Sequence, residues 1–387
     1  MPARAAGSDV PRTLLVTNDF PPRVGGVQQY VWTLVSRLPP SRIAVIAPAW
    51  PGWREHDAAL EFPVYRWPSA VLVPTRDLEC RVRSLVARHR AEVVLFGHGF
   101  PLPLLAPRLA SSGIHSAALT HGAEVWIART PALGGAQRWA LRAVREVTAV
   151  SAYTAERVRR AVGHAPPVTV LYPGVDTKRF SPDVDGGAAR ARYGLEGRPV
   201  IVCVSRLVPR KGQDVLIRAL ADVRRRVPDA ALLIAGDGPD RPALEQLAAA
   251  APRGSVVFAG EVPPDDLPGV YAAGDVFAMP CRSRFGRLEV EGLGIVFLEA
   301  AACGKPVVAG RSGGAPEAVV DGRTGLVVEG SEPKAVAIAL ARLLAGPAEA
   351  ATMGAAGRAR IQAEFTWEAS AATLVEVLRR AARDGVG

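Results

Sequence analysis

Val200-Ile201-Val202-Cys203-Val204-Ser205-Arg206-Leu207-Val208-Pro209-Arg210-Lys211-Gly212 is an apolar run, then a basic turn closed by Pro and Gly. A helical pattern follows from Gln213 to Arg226. A short continuous apolar run of this kind reads as a strand buried on both faces, and its passage into a helix makes half of a β/α unit. The unit repeats downstream, with a strand at Ala231–Ala235 and a helix at Arg241–Ala249. The runs Val256–Ala259, Leu267–Ala273, Val276–Met279, Gly294–Ala302 and Pro306–Ala309 come next. Upstream, strand-like Leu14–Thr17, Ile43–Ala47, Val93–Phe96, Ala117–Leu119 and Val147–Val150 alternate with helical Val27–Leu38, Leu78–His89, Arg138–Val144 and Ala152–Val162. After a strand at Val168–Tyr172, Pro173-Gly174-Val175-Asp176 and Phe180-Ser181-Pro182 break the pattern before it restarts. This predicts an α/β chain of two Rossmann-like domains, residues 1–173 and 174–366. The last helix, Trp367–Arg380, is expected to carry residues 367–387 back onto the first.

The 387 residues, 49% of them hydrophobic, give ample material for a core of that size and argue against intrinsic disorder. Cys80, Cys203, Cys281 and Cys303 are too scattered for a disulfide framework or a CxxC metal site, which predicts an intracellular protein. No run approaches the ~18 apolar residues of a membrane span, and residues 1–13 lack the apolar core of a signal peptide. The net charge of +10 is unevenly spread. Residues 1–173 hold 20 Arg, no Lys and 11 acidic residues, a net of +9, with Arg76, Arg81, Arg83, Arg88 and Arg90 close together. Such a half faces an anionic partner or is simply a solvated basic surface, and charge alone leaves both open. With no RNP-type aromatic pattern and no helix-turn-helix signature, no nucleic-acid partner is expected.

Open α/β sheets bind ligands at the carboxyl ends of their strands, so the residues just after each strand carry the functional reading. Gly25-Gly26 lies between the first strand and its helix, where backbone N–H groups can approach a phosphate. It is not the G-x-G-x-x-G fingerprint, which counts against a dinucleotide enzyme. His121 follows strand 117–119 in Thr120-His121-Gly122-Ala123-Glu124, a position expected to face a cleft between the domains. It has no second His or Cys pair at zinc spacing. Arg206 and Lys211, five apart across a tight turn at a helix start, suit a diphosphate.

Glu291 and Glu299 bracket the Gly-rich turn Gly292-Leu293-Gly294 that enters a helix at Ile295-Val296. The first turn of that helix would offer free N–H donors, and Glu299 could accept from a vicinal diol such as a ribose. Paired Glu residues also suggest glycoside hydrolysis, but hydrolases do not need Arg and Lys aimed at the same place, whereas a nucleotide-sugar diphosphate does. Asp183-Val184-Asp185 spells a D-x-D but follows Phe-Ser-Pro in a loop, and reads as linker. The Gly turns 236–238 and 312–314 either line the site or only connect a strand to the next helix.

Taken together, these residues resemble the retaining GT-B glycosyltransferases of the GT4 type, over essentially the whole chain. The E-x7-E pair Glu291/Glu299 and the stretch SRLVPRKG at 205–212 carry the resemblance. Within the family, LLVTNDFPPRVGGVQQY (14–30), SRLVPRKGQD (205–214), DVFAMPCR (275–282) and EVEGLGIVFLEA (289–300) are similar to the GDP-mannose-dependent members that mannosylate phosphatidylinositol monomannoside.

The resemblance implies two Rossmann-like domains across a deep cleft and α-1,6 transfer of mannose with retention, with no cofactor and no essential metal. It implies Arg206 and Lys211 on the diphosphate, Glu299 on the ribose, and Glu291 with the Gly294-Ile295-Val296 backbone on the donor sugar. Gly25 and Gly26 would close over the phosphate, His121 would sit beside the transferred sugar, and Val262 would lie where the family reads the nucleobase. The implied partners are a nucleotide sugar and an anionic glycolipid acceptor, with the enzyme peripheral on the inner membrane face. A GT4 enzyme with another donor or a soluble acceptor is the alternative.

Overall fold

The structure is a computed structural model that describes residues 9–383 apart from Val24, Arg129, His164 and Arg287. The signal-peptide reading on residues 1–8 and the tail after residue 383 lie outside the described residues. The chain divides into two compact units: Met1–Gly174 with Trp367–Gly387, and Val175–Thr366.

The first unit is built on seven parallel strands. They are β1 (Thr13–Val16), β2 (Ile43–Pro48), β3 (Val64–Trp67), β4 (Val93–Phe96), β5 (Ser116–Thr120), β6 (Glu146–Ala149) and β7 (Val168–Val170), in the order β3-β2-β1-β4-β5-β6-β7. Strand β1 is buried on both faces, and Leu15 is in register with Val45 on one side and Leu95 on the other. Leu14, Val16, Val94, Phe96, Leu105 and Val147 lie in one continuous core. Near-complete burial of such side chains contributes about 1.5–3 kcal/mol each, which is why the strands read as unbroken apolar runs.

Helix Trp367–Ala382 belongs to this unit. Its inward face buries Leu374, Val377 and Leu378, Ser370 donates to the Tyr172 carbonyl at 2.7 Å, and Arg380 pairs with Glu146 at 2.9 and 3.0 Å.

The second unit holds six parallel strands, β8 (Val200–Val204), β9 (Ala231–Ala235), β10 (Val256–Gly260), β11 (Val276–Met279), β12 (Val307–Gly310) and β13 (Gly325–Val328), ordered β10-β9-β8-β11-β12-β13. In both sheets the order reverses once, between β1 and β4 in the first unit and between β8 and β11 in the second. Those switch points are where the two strand-end loops diverge and leave a crevice for a ligand.

The structure corrects the local reading in several places. The helix expected at Arg138–Val144 spans Pro131–Leu141. A Cβ at Gly134 would lie 2.5 Å from the Ala128 carbonyl oxygen, so glycine allows the close packing. Strands β3 and β13 carry no alternation strong enough to be read from sequence. The helices Pro333–Ala345 and Pro347–Glu364 lie in an Ala-rich stretch where apolar and polar positions are poorly separated. No single described helix is long and apolar enough to cross a membrane.

Candidate active site

In the second unit the strand-end loops pack backbone to backbone. A Cβ at Gly236 would meet the Ser205 carbonyl oxygen at 2.2 Å, and one at Gly238 would meet that of Leu207 at 2.3 Å. The loops after β8 and β9 are thereby fused into one surface, on which Arg206 is exposed. Lys211 is buried at the end of the short turn Pro209–Lys211, and Gly212 (φ 80°) starts helix Gln213–Arg224.

Across the β8/β11 switch point, Lys211 Nζ donates to Glu291 Oε2 at 2.7 Å, and Arg210 pairs with the same oxygen. Burial pushes the Glu291 carboxyl up, but the two facing cations outweigh this and hold it below its usual range. The Glu291 backbone is braced from the loop after β12. Gly314 N–H donates to the Glu291 carbonyl at 2.9 Å, and a Cβ at Gly313 would come within 2.0 Å of that oxygen. The 312–314 turn, left open between site and connection, thus bears directly on Glu291.

Helix Ile295–Ala302 starts after Gly294, whose φ is 87° and where a Cβ would lie 2.7 Å from the Phe297 ring, so there is no room for a side chain. No side chain caps it, so the N–H groups of Ile295 and Val296 have no acceptor within the helix. A turn further on, Glu299 accepts from the Tyr271 hydroxyl at 2.6 Å. Burial raises the Glu299 carboxyl to about 7 despite that bond. Val262 is partly buried in the turn that follows β10. Asp183 and Asp185 are used locally: Ser181 donates to Asp183 at 2.7 Å, and the Gly187 N–H to Asp185 at 2.9 Å.

In the first unit, Gly25 and Gly26 open helix Gly26–Val35, which has no side-chain cap. His121, just past β5, bonds through Nε2 to the Gly97 carbonyl at 2.8 Å. A carbonyl only accepts, so Nε2 carries the proton and Nδ1 is left as an acceptor. Burial lowers His121 to about 4, with His98 beside it adding to the effect. Glu124 Oε2 receives the backbone N–H groups of His121 and Gly122, each at 2.9 Å.

The structure therefore joins Glu291 to Lys211 but pairs it equally with Arg210, which the sequence reading passed over in favour of Arg206. It also reveals Tyr271 on Glu299, and Asp19, His98 and Glu124 around His121. Asp19 and His98 follow β1 and β4, the two strands of the switch point, so strand order was the signal that could have found them.

The family model for Glycosyltransferase Family 4 matches residues 24–179, and that for Glycosyl transferases group 1 matches residues 187–360. The chain is 48% identical over 379 residues to the GDP-mannose-dependent alpha-(1-6)-phosphatidylinositol monomannoside mannosyltransferase of Mycolicibacterium smegmatis, covering 96% of this chain and 99% of that protein. The chain belongs to glycosyltransferase family 4.

A second family member, the GDP-mannose-dependent monoacylated alpha-(1-6)-phosphatidylinositol monomannoside mannosyltransferase of Corynebacterium glutamicum, is 42% identical, with 95% of this chain and 98% of that one covered. Among solved structures, Anabaena HepE in complex with UDP superposes with a TM-score of 0.82 at 21% identity, covering 95% of this chain and 99% of that one. Sucrose-phosphate synthase from Thermosynechococcus elongatus gives 0.76 at 23% identity, covering 95% and 98%. Both likenesses speak for the fold of this glycosyltransferase: two Rossmann-like α/β domains of the GT-B kind.

Proposed function

We propose that this glycosyltransferase moves mannose from GDP-mannose to phosphatidylinositol monomannoside, forming an α-1,6 linkage with retention of configuration and without a metal or cofactor. The observation that carries the reading is identity of 42–48% across the full length to proteins named for that reaction. The second unit supplies chemistry that fits the donor. Lys211 and Arg206 answer the diphosphate, the free N–H groups of Ile295 and Val296 with Glu291 answer the sugar, and Glu299 the ribose. Gly25, Gly26 and His121 are the contribution of the first unit, and the turn at Val262 that of the base site. Preorganised positive charge on the departing diphosphate is the main catalytic term, because charge develops there as the glycosidic bond breaks. The departing phosphate takes the acceptor proton, so no enzymic nucleophile is needed.

On this reading the enzyme meets its anionic acceptor on the inner membrane face, as a peripheral protein. Supporting this, helix Arg76–His89 exposes Arg76, Arg81 and Arg88, and Val71 and Val73 just before it are 50% and 55% exposed. Polybasic surfaces gain about 1 kcal/mol per basic residue near anionic lipid.

Turnover of GDP-mannose and UDP-glucose, with and without phosphatidylinositol monomannoside in vesicles, tests the proposal. GDP release that requires the lipid and survives EDTA is the expected result. Turnover of the UDP-sugar alone would overturn the donor, loss with EDTA the metal-free mechanism, and binding indifferent to anionic lipid the membrane role.

A further inference from the structure

The β1/β4 switch point of the first unit holds a cluster of ionisable groups around His121 that the reaction above does not use. His98 follows β4 between two glycines that the packing requires. A Cβ at Gly97 would lie 2.2 Å from Thr17 Oγ1, and one at Gly99 would lie 2.8 Å from Glu124 Cγ. The His98 side chain is thus fixed in the narrow space between the ends of β1 and β5. Its Nε2 pairs with Asp19, and its Nδ1 faces Glu124 Oε1 at 3.8 Å. The rings of His98 and His121 meet edge to face, with centroids 4.7 Å apart.

Two carboxylates and two imidazoles in one partly buried cluster must divide the protons among them. Asp19 also accepts from the Gln28 side-chain amide, and Glu124 from three backbone N–H groups, those of Gly99, His121 and Gly122. Those bonds are made to acceptor oxygens and favour the ionised carboxylates. Among the described residues, His121, already donating Nε2–H to the Gly97 carbonyl, has no carboxylate on its ring nitrogens. His98 has one at each.

We propose that His98 is a positioning residue, which takes the one extra proton of the cluster and so keeps the neighbouring His121 a neutral imidazole with Nδ1 presented as an acceptor. This rests on the proposed role of His121 beside the sugar only for its functional consequence.

The other groups facing the pair do not change the outcome. Tyr30, on helix Gly26–Val35, packs edge to face on His121 with centroids 5.4 Å apart and spends its hydroxyl on the Leu171 carbonyl at 2.9 Å. Arg23 acts on Asp19 from a distance, adding to its ionisation. The directions agree with the geometry. Burial works against the His98 cation, but the bond to Asp19 and the facing Glu124 carboxylate raise it to about 9, while His121 stays near 4.

The test is the ring-nitrogen NMR of the full chain, which needs no donor or acceptor and is read even if mannosyl transfer fails. Among the six histidines, the His98 and His121 signals are assigned by their loss in His98→Gln and His121→Gln. At pH 7 the wild type should show His98 doubly protonated and His121 neutral with the proton on Nε2. In His98→Gln the His121 titration should move up by more than one pH unit, and the acidic limb of turnover should move with it. His98→Arg, which keeps a cation, should return both toward the wild-type position. A neutral His98 in the wild type at pH 7, or a His121 titration unmoved in His98→Gln, would overturn the proposal. Should His98→Gln fail to fold, loss of the same signal in His98→Arg supplies the assignment, and the wild-type spectrum still decides it.

Discussion

Lys211 and Glu291 are joined at 2.7 Å although 80 residues separate them, so the turn after β8 and the Gly-rich stretch after β11 act as one structural unit. The pair lies at the point where strand order reverses, and Arg210 pairs with the same carboxylate. On the proposed function, a buried cation tethered in this way would need little reorganisation when a diphosphate forms beside it.

Lys211→Ala removes one preorganised cation and leaves Glu291 with Arg210 alone. Turnover at saturating GDP-mannose should fall on the order of 10²-fold or more, the usual effect of deleting one such donor. Steady-state kinetics decide this, and a loss confined to donor KM would mean that Lys211 binds without stabilising the transition state.

Arg206 differs from Lys211 in being exposed, and among the described residues its side chain has no hydrogen bond or ion pair, only its carbonyl accepting from the Gln213 amide at 3.0 Å. Arg206→Ala should therefore lower turnover at saturating donor while leaving the melting temperature unchanged. A normal rate would remove Arg206 from the diphosphate.

Glu299 gives a pH dependence whose sign is fixed. Its carboxyl, raised by burial to about 7, is protonated below that value and ionised above it. Ribose hydroxyls donate to the ionised form, so donor KM should decrease as pH rises through 7. In Glu299→Gln that step should vanish. A KM profile equally steep in the variant would assign the titration to another group.

Much of this was legible in the chain. Val200–Val204 and Val276–Met279 were readable because strands buried on both faces need unbroken apolar runs. Glu291 and Glu299 were readable because they bracket a Gly-rich turn entering a helix. Arg210 was not, because it adjoins Lys211 and nothing local distinguishes which cation meets Glu291. His98 and Asp19 were not, because their meeting depends on β1 and β4 being neighbours, which alternation alone does not specify. Tyr271 reads as an ordinary core aromatic, and only its hydroxyl, bonded to Glu299, sets it apart.

Gly212 offers a test of the local architecture. Its φ of 80° disfavours any side chain, and a Cβ would meet the Pro280 carbonyl oxygen at 2.2 Å. Gly212→Ala should cost about 1–3 kcal/mol of stability from backbone strain, and more if Pro280 cannot shift. Chemical denaturation measures this, and an unchanged unfolding midpoint would show that the turn relaxes freely.

The most direct test of the account as a whole is the structure of the lipid product. The enzyme is incubated with GDP-mannose and phosphatidylinositol monomannoside, and the extracted glycolipid is examined by mass spectrometry and by NMR of its new anomeric centre. One added hexose, identified as α-mannose on O6 of the first mannose, is the predicted result. A different sugar, a β linkage, or GDP released with no change in the lipid would contradict it.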